Sequence, residues 1–198
     1  MNTVVVDYGI GNIHSVISAL KYLQIESSID IDGSKILSAS KIIIPGVSNF
    51  GEGIRNLKKT AQFENINKSF ERGSKIIGLC LGAQMMFKQS DESPLDSGFG
   101  FIDGKVVKID NVNVRVPNQG WSRVESNAKF SRSLFEQEEY YYFSHTYKML
   151  TGSGFQANTV NDGHTEGILA AFEHENITGV QFHPELSGPA GLKFLQKL

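Results

Sequence analysis

The 198-residue chain contains a single cysteine, Cys80, and the residues around it decide what its thiol can do. It lies in Lys75-Ile76-Ile77-Gly78-Leu79-Cys80-Leu81-Gly82-Ala83-Gln84-Met85-Met86-Phe87, where an apolar strand meets a helical pattern at the cysteine, with glycines two residues to either side. This is the pattern of a nucleophile elbow with Cys in place of Ser. A sharp strand-to-helix turn forces its central residue into unusual backbone angles and needs its neighbours' side chains nearly to vanish, which Gly78 and Gly82 allow. The turn points a helix N-terminus at the sulfur, favouring the thiolate, and offers the Leu81 amide to a developing oxyanion. The bland alternative is a buried cysteine in a core strand.

A thiolate nucleophile needs a base. Near the C-terminus stands Gly179-Val180-Gln181-Phe182-His183-Pro184-Glu185, in which Phe182 closes an apolar strand and Pro184 stops it. At a spacing of two in an extended segment, His183 and Glu185 project to the same side. Glu185 can then orient and charge-stabilise the imidazole while His183 moves the proton, a compact form of triad logic. His14, His164 and His174 sit in polar or helical contexts and read as surface residues. His145, in Ser144-His145-Thr146-Tyr147, is the competing base, but only His183 has a carboxylate two residues away.

These groups must be brought together by an α/β framework. Thr3 to Asp7, Ser28 to Ile31, Lys41 to Ile44 and Lys75 to Leu79 are short, β-branched and apolar enough to be buried parallel strands. Ile13, Val16, Ile17, Leu20 and Leu23 recur at helical spacing after the loop Tyr8 to Asn12, and Asp32 is placed to cap a short helix around Ile36 and Leu37. Strand, helix, strand, helix implies right-handed crossovers and a site at the carboxyl ends of the strands. Past Gly98 the pattern changes to antiparallel strands: Lys105 to Ile109, Asn113 to Val116, Tyr140 to Phe143, Phe155 to Val160 and Ile168 to Phe172, punctuated by Asn161-Asp162-Gly163 and Glu175-Asn176. Thr178 to Phe182 reads as one more strand, with alternate residues of Tyr140-Tyr141-Tyr142-Phe143 packing inward, and Leu192 to Leu198 closes the chain as a helix.

The length suits one domain spanning residues 1–198. A formal net charge of -2 advertises neither nucleic acid nor anionic lipid, so the expected partners are small molecules or proteins. No basic segment with a long apolar core opens the chain and no apolar run reaches membrane-spanning length, so the expected location is the cytoplasm. One cysteine forms no internal disulfide and no multi-cysteine metal site, and neither metal nor cofactor is expected. Gly9-Ile10-Gly11 after the first strand suggests a dinucleotide fingerprint, but His14 stands where its third glycine is needed, and a tight loop facing a partner is the better reading.

Taken together, Gly78-Leu79-Cys80-Leu81-Gly82 with Gln84 and the distant His183-Pro184-Glu185 resemble the signature of the class I glutamine amidotransferases. Asp7-Tyr8-Gly9-Ile10-Gly11-Asn12, Pro45-Gly46-Val47 and Gly120-Trp121 are similar, within that family, to the glutaminase subunits of imidazole glycerol phosphate synthases, and the resemblance covers the whole chain. It implies a three-layer α/β fold with a mostly parallel central sheet, a nucleophile elbow and an antiparallel β-rich second half. It implies hydrolysis of L-glutamine through a cysteine thioester by Cys80, His183 and Glu185. Ammonia would pass to a (β/α)8 cyclase or synthase partner in a heterodimer, as in histidine biosynthesis. By the same resemblance Val47 and Leu81 supply oxyanion amides, and glutamine is held by Gly46, Gln84, Glu92, Ser144, His145, Thr146 and Tyr147. Gly11, Asn12, Asn118, Gln119, Trp121 and Leu186 then face the partner.

Several positions depart from the usual subunit. Asn118 follows Pro117 where histidine is usual, Ser122 follows Trp121 where asparagine is usual, Leu186 follows Glu185 where lysine is usual, and Ser48-Asn49 replaces Gly-Ala. These leave the triad intact but alter the oxyanion loop and partner face. They keep open a paralogue serving another ammonia-using synthase, such as one forming an amidine on a surface sugar. Readings of another class are a non-catalytic regulatory subunit and a hydrolase acting on peptides or γ-glutamyl chains.

Overall fold

The computed structural model describes residues 2–110, 115–126, 134, 139–152, 155–159 and 168–198. Strand β1 (Thr3–Val6) is followed by helix α1 (Ile13–Tyr22), β2 (Ser27–Asp30), a 3-10 turn at Ile36–Ser38 and β3 (Lys41–Ile44). Helices α2 (Phe50–Lys58) and α3 (Gln62–Glu71) lead to β4 (Lys75–Leu79) and the short helix α4 (Leu81–Gln84). Then come β5 (Phe87–Ser90), β6 (Ile102–Lys108), β7 (Asn118–Ser126), β8 (Glu139–His145), β9 (Tyr147–Leu150), β10 (Phe155–Thr159), β11 (Leu169–His174) and β12 (Ile177–Val180). A 3-10 turn at Pro184–Leu186 and helix α5 (Gly188–Lys197) end the chain.

One nine-stranded sheet runs β2-β1-β3-β4-β12-β11-β10-β7-β8. Its first five strands are parallel and the rest antiparallel. A second sheet joins β5, β6 and β9. Alternation along the strands assigns the layers: Val4, Val6, Ile42, Ile44 and Ile76 pack with Phe50, Ile54, Leu57, Ile66, Phe87 and Met149 on one face. Val5, Ile43, Ile77 and Leu79 pack with Ile13, Val16, Leu20, Phe194 and Leu195 on the other. The sheet therefore lies between α1 and α5 on one side and α2, α3 and the small sheet on the other. This is the three-layer arrangement expected from the motifs.

The parallel half matches the sequence reading closely, while the second half corrects it. Asp32 does not cap the short helical turn, whose N-cap position is Lys35 with no side-chain cap; the Asp30 carboxylate instead ties the loop before it, accepting from the Gly33 and Lys35 amides at 2.7 and 2.8 Å. The helical pattern after Cys80 stops at Gln84, and Phe87 opens a strand instead. Arg115 and Val116 lie outside any strand, and the strand starts at Asn118; Asn113 and the turn Asn161-Asp162-Gly163, like Val160 and His164, lie outside the described residues. β7 was not anticipated because its polar residues hide the alternation, and β9 because it is only four residues long. Glu175-Asn176 does turn the chain between β11 and β12, with Glu175 at φ 51°. The last helix begins four residues before the expected Leu192. Among the described residues no helix is long and apolar enough to cross a membrane.

The parallel half places β3, β4 and β12 side by side, so their carboxyl ends carry Pro45-Gly46-Val47, Cys80 and His183 to one edge. Gly82 is where these ends meet most closely: a Cβ there would collide with the Ile44 carbonyl oxygen. Gly82→Ala should therefore destabilise the fold by ~1–3 kcal/mol, read from the midpoint of denaturant unfolding, because backbone rather than a flexible side chain would have to move.

Candidate active site

Cys80 sits at φ 52°, ψ −106°, between the last residue of β4 and the first of α4. This is a strained conformation for a residue with a side chain, and its surroundings enforce it. A Cβ at Gly78 would lie 2.5 Å from the Ala83 amide nitrogen, so the glycines permit the elbow as their positions suggested. With α4 only four residues long, little helix macrodipole acts on the sulfur, and neighbouring groups matter more. Leu81, the first residue of α4, has one of the amides that no intrahelical carbonyl satisfies.

His183 and Glu185 come together by a different route from the extended strand anticipated. β12 ends at Val180, His183 is extended at φ −101°, ψ 93°, and Pro184 opens a 3-10 turn. The turn folds Glu185 back, so that His183 Nδ1 stands 2.9 Å from Glu185 Oε1, both side chains 3% exposed. Cys80 lines the same cavity as the imidazole and acts on it electrostatically. Burial works against a charge on His183, but the Cys80 sulfur, by charge and hydrogen bond, and the Glu185 carboxylate outweigh it and push its pKa well up. The arrangement favours a protonated imidazole beside the sulfur.

His145 is excluded as a rival base by its bonds. Its Nδ1 donates to the Tyr147 carbonyl at 2.8 Å, so Nε2 is the acceptor for Asn118 Nδ2 at 2.8 Å. Burial, assisted by nearby His183 and opposed by the Tyr147 carbonyl, pushes the His145 pKa down to about 4. It is a neutral, fully engaged ring.

A cavity of about 500 Å³ opens over Cys80. Its walls include Val47, Leu81, Gln84, Glu92, Ser144, His145, Thr146, Tyr147 and His183, with Asn12, Ser48, Tyr142 and Leu186 around them. Glu92 is anchored there by the Phe50 amide, 2.7 Å from its Oε2. Among the described residues no group of three or more His, Cys, Asp or Glu side chains is placed to hold a metal.

The model of the family described as glutamine amidotransferase class-I matches residues 4–197. The chain belongs to this family. Two similar relatives are imidazole glycerol phosphate synthase subunits HisH: that of Pyrococcus furiosus is 38% identical over 196 residues, covering 97% of this chain and 95% of the relative. That of Geobacillus sp. strain WCH70 is 32% identical over 197 residues, covering 97% and 93%. A crystal structure of a glutamine amidotransferase superimposes with a TM-score of 0.77 at 20% identity, covering 98% of this chain and 97% of that one. The structure of PurLQS from Thermotoga maritima gives 0.77 at 21% identity, covering 99% and 96%.

In this glutamine amidotransferase most of the anticipated site residues lie around the cavity, Gly46 and Asn118 being placed otherwise. Gly46 is buried beside Tyr8 and Leu81 instead of lining the cavity, and Tyr8 donates to the Pro45 carbonyl at 2.5 Å. Asn118 does not face outward; it is 5% exposed, its amide spent on His145. Gln119 is exposed, Gly11 is partly so, and Trp121 and Leu186 are 53% and 41% exposed. The substituted Ser48-Asn49 pair builds a cap: Asn49 Oδ1 accepts from Gly51 and Glu52 amides, and Ser48 bonds Glu52. Sequence reasoning missed Tyr8, Tyr142, Asn118 as a ring anchor, and Gln181. Gln181 alone carried a signal, being polar inside an apolar strand end.

The low His145 pKa has a measurable consequence. The unfolded ring titrates near pH ~6.5 and the folded ring near 4, so the unfolded chain takes up a proton in that window that the native state refuses. This contribution to stability is complete above about pH 6.5 and falls away as pH drops towards 4. His145→Gln should flatten that part of the stability profile, measured as denaturant midpoints at pH 7 and pH 4.5. An unchanged slope would mean the ring is not held neutral.

Proposed function

We propose that this chain hydrolyses L-glutamine at Cys80 and delivers the ammonia to a synthase subunit, acting as the glutaminase of an imidazole glycerol phosphate synthase in histidine biosynthesis. The observation that carries this is the placing of Cys80 and His183 together in the wall of a cavity sized for an amino acid, with Glu185 behind the imidazole at 2.9 Å. The relatives named above support the pathway.

The Cys80 thiolate attacks the side-chain amide carbon of glutamine, and the oxyanion is held by backbone amides at Leu81 and Val47. His183 donates its proton as the C–N bond breaks, so ammonia leaves and a glutamyl thioester remains. His183, now neutral and oriented by Glu185, takes a proton from water as the water attacks the thioester. Glutamate departs and the thiolate–imidazolium pair is restored.

The ligand's amino-acid end needs acceptors for its ammonium. Glu92 supplies a carboxylate with one oxygen already fixed by Phe50. Both Gln84 amide protons are already given, to the Tyr147 carbonyl and to Gln181, so Gln84 offers only its oxygen. The ligand's carboxylate falls to the segment Ser144 to Tyr147, with the neutral His145 ring packed beneath.

Ammonia released into water at neutral pH is mostly ammonium and no longer a nucleophile, so a docked acceptor is required. The exposed apolar groups Val47 and Leu186 stand in the cavity wall, and the exposed Trp121 lies beyond it, edge-on to the wall residue Tyr142 at 6.0 Å. We assign this rim, with Gly11, Asn12 and Gln119, to a (β/α)8 barrel partner in a heterodimer. One observation favours a second reading: Leu186 at the mouth offers no charge to a partner where lysine is usual, which suits a paralogue serving a different synthase.

Cys80→Ala should abolish glutamate release while leaving thermal unfolding intact, and His183→Ala should lower kcat by ~10³-fold or more. Surviving activity would overturn the assignment of the nucleophile. Adding a cyclase barrel of imidazole glycerol phosphate synthase with its nucleotide ligand should strongly stimulate glutamate release. Activity without stimulation would move the chain to another synthase.

A further inference from the structure

Gln181 is fully buried two residues before His183, and its side-chain Nε2 lies 3.6 Å from Cys80 Sγ. An amide can present either its nitrogen or its oxygen, and the surrounding bonds decide which. The Tyr147 carbonyl can only accept, so the Gln84 atom 2.9 Å from it must be nitrogen. The same nitrogen lies 3.0 Å from Gln181, so the atom facing it must be the Gln181 oxygen. The Gln181 nitrogen is thereby left towards the sulfur. Turning Gln181 over would set donor against donor at Gln84 and a carbonyl oxygen against the sulfur, and turning Gln84 over would set its oxygen against both the Tyr147 carbonyl and the Gln181 oxygen.

We propose that Gln181 is a further catalytic residue, a neutral hydrogen-bond donor to Cys80 that stabilises and aims the thiolate, with its orientation locked through Gln84 by the Tyr147 carbonyl. The role deepens the glutaminase reading and rests on it for its use in turnover, but the contact can be tested without glutamine. A donor held in place through Gln84 in a dry environment favours the charged form of sulfur over the thiol. It also holds the sulfur while the His183 proton leaves for the product, when the imidazolium no longer balances the charge. The same lock ties the thiolate to Tyr147, a residue of the wall assigned to the ligand's carboxylate.

Other groups act on the sulfur and must be kept constant. His183, backed by Glu185, faces it from the segment after β12, and the buried Tyr8 phenol from the loop after β1. Glu92 and the neutral His145 stand in the cavity walls. A Gln181→Met variant keeps the volume and leaves all of these in place.

The test is the pH dependence of Cys80 alkylation by iodoacetamide, a reaction that needs a thiolate but neither an oxyanion hole nor a partner. Gln181→Met should raise the midpoint of the alkylation profile by about one pH unit, roughly tenfold in rate on its acid side, the effect of losing one donor to a charged group. Glutamine turnover should fall mainly in kcat, with KM little changed. A midpoint unmoved in a folded variant would overturn the proposal, whatever happens to turnover. Loss of hydrolysis in the wild-type chain with a shifted midpoint in the variant would instead count against the glutaminase reading alone. Should Gln181→Met fail to fold, the side-chain amide resonance of Gln181 in the wild-type chain decides: it should titrate with the thiol and move on Cys80→Ala, and indifference to both would overturn the proposal.

Discussion

The site depends on one backbone constraint: Cys80 turns the chain through a positive φ between a buried parallel strand and a one-turn helix, and it can do so only because Gly78 and Gly82 let backbone approach backbone. The Ile44 carbonyl occupies the space a Cβ at Gly82 would need, so the same close approach joins the ends of β3 and β4. Cys80, the loop Pro45-Gly46-Val47 and His183 are thereby held at neighbouring strand ends. The strain is stored in a layer of apolar contacts on both faces of the sheet, which is rigid enough to bear it.

Around the sulfur, polarity is arranged almost entirely by groups whose hydrogen bonds are already committed. His145 gives its proton to Tyr147 and accepts from Asn118. Gln84 gives both of its protons, and Glu92 has one oxygen on Phe50. Each commitment removes an alternative orientation, so what remains facing the cavity is of known sign: an oxygen from Gln84, a carboxylate from Glu92, and the His183 imidazole between sulfur and carboxylate. Buried polar groups are costly when partly satisfied, and among the described residues the network closes on backbone carbonyls and amides everywhere except at Glu185 Oε2, a buried oxygen without a partner.

The departures from the usual family pattern do not act alike. Ser48 and Asn49 are absorbed into the N-terminus of α2, where Asn49 caps the helix and Ser93 bonds it from the loop after β5. Asn118 turns inward to anchor a ring. Leu186 alone remains at the cavity mouth as an exposed apolar group beside Val47. The changes near the elbow are thus local repairs, whereas the one at the mouth alters the chemistry of the surface offered to a partner.

By itself the sequence determined the parallel half, because buried strands read as continuous apolar runs and the Ile13 to Leu23 spacing permits only a helix. It also determined the elbow, since glycines two residues either side of the lone cysteine leave few other local structures. Polar β7, short β9 and the early end of α4 were not legible, because pairing across a sheet can override local pattern. Tertiary structure alone decided that Glu185 reaches His183 through a turn, that Asn118 faces inward, that His145 is neutral, and that Gln181 touches the sulfur. The reason is common to all four: which atom a polar side chain presents depends on partners 27 to 101 residues away, as in Asn118 with His145 and Gln181 with Cys80, or on a turn whose geometry the packed strand ends impose.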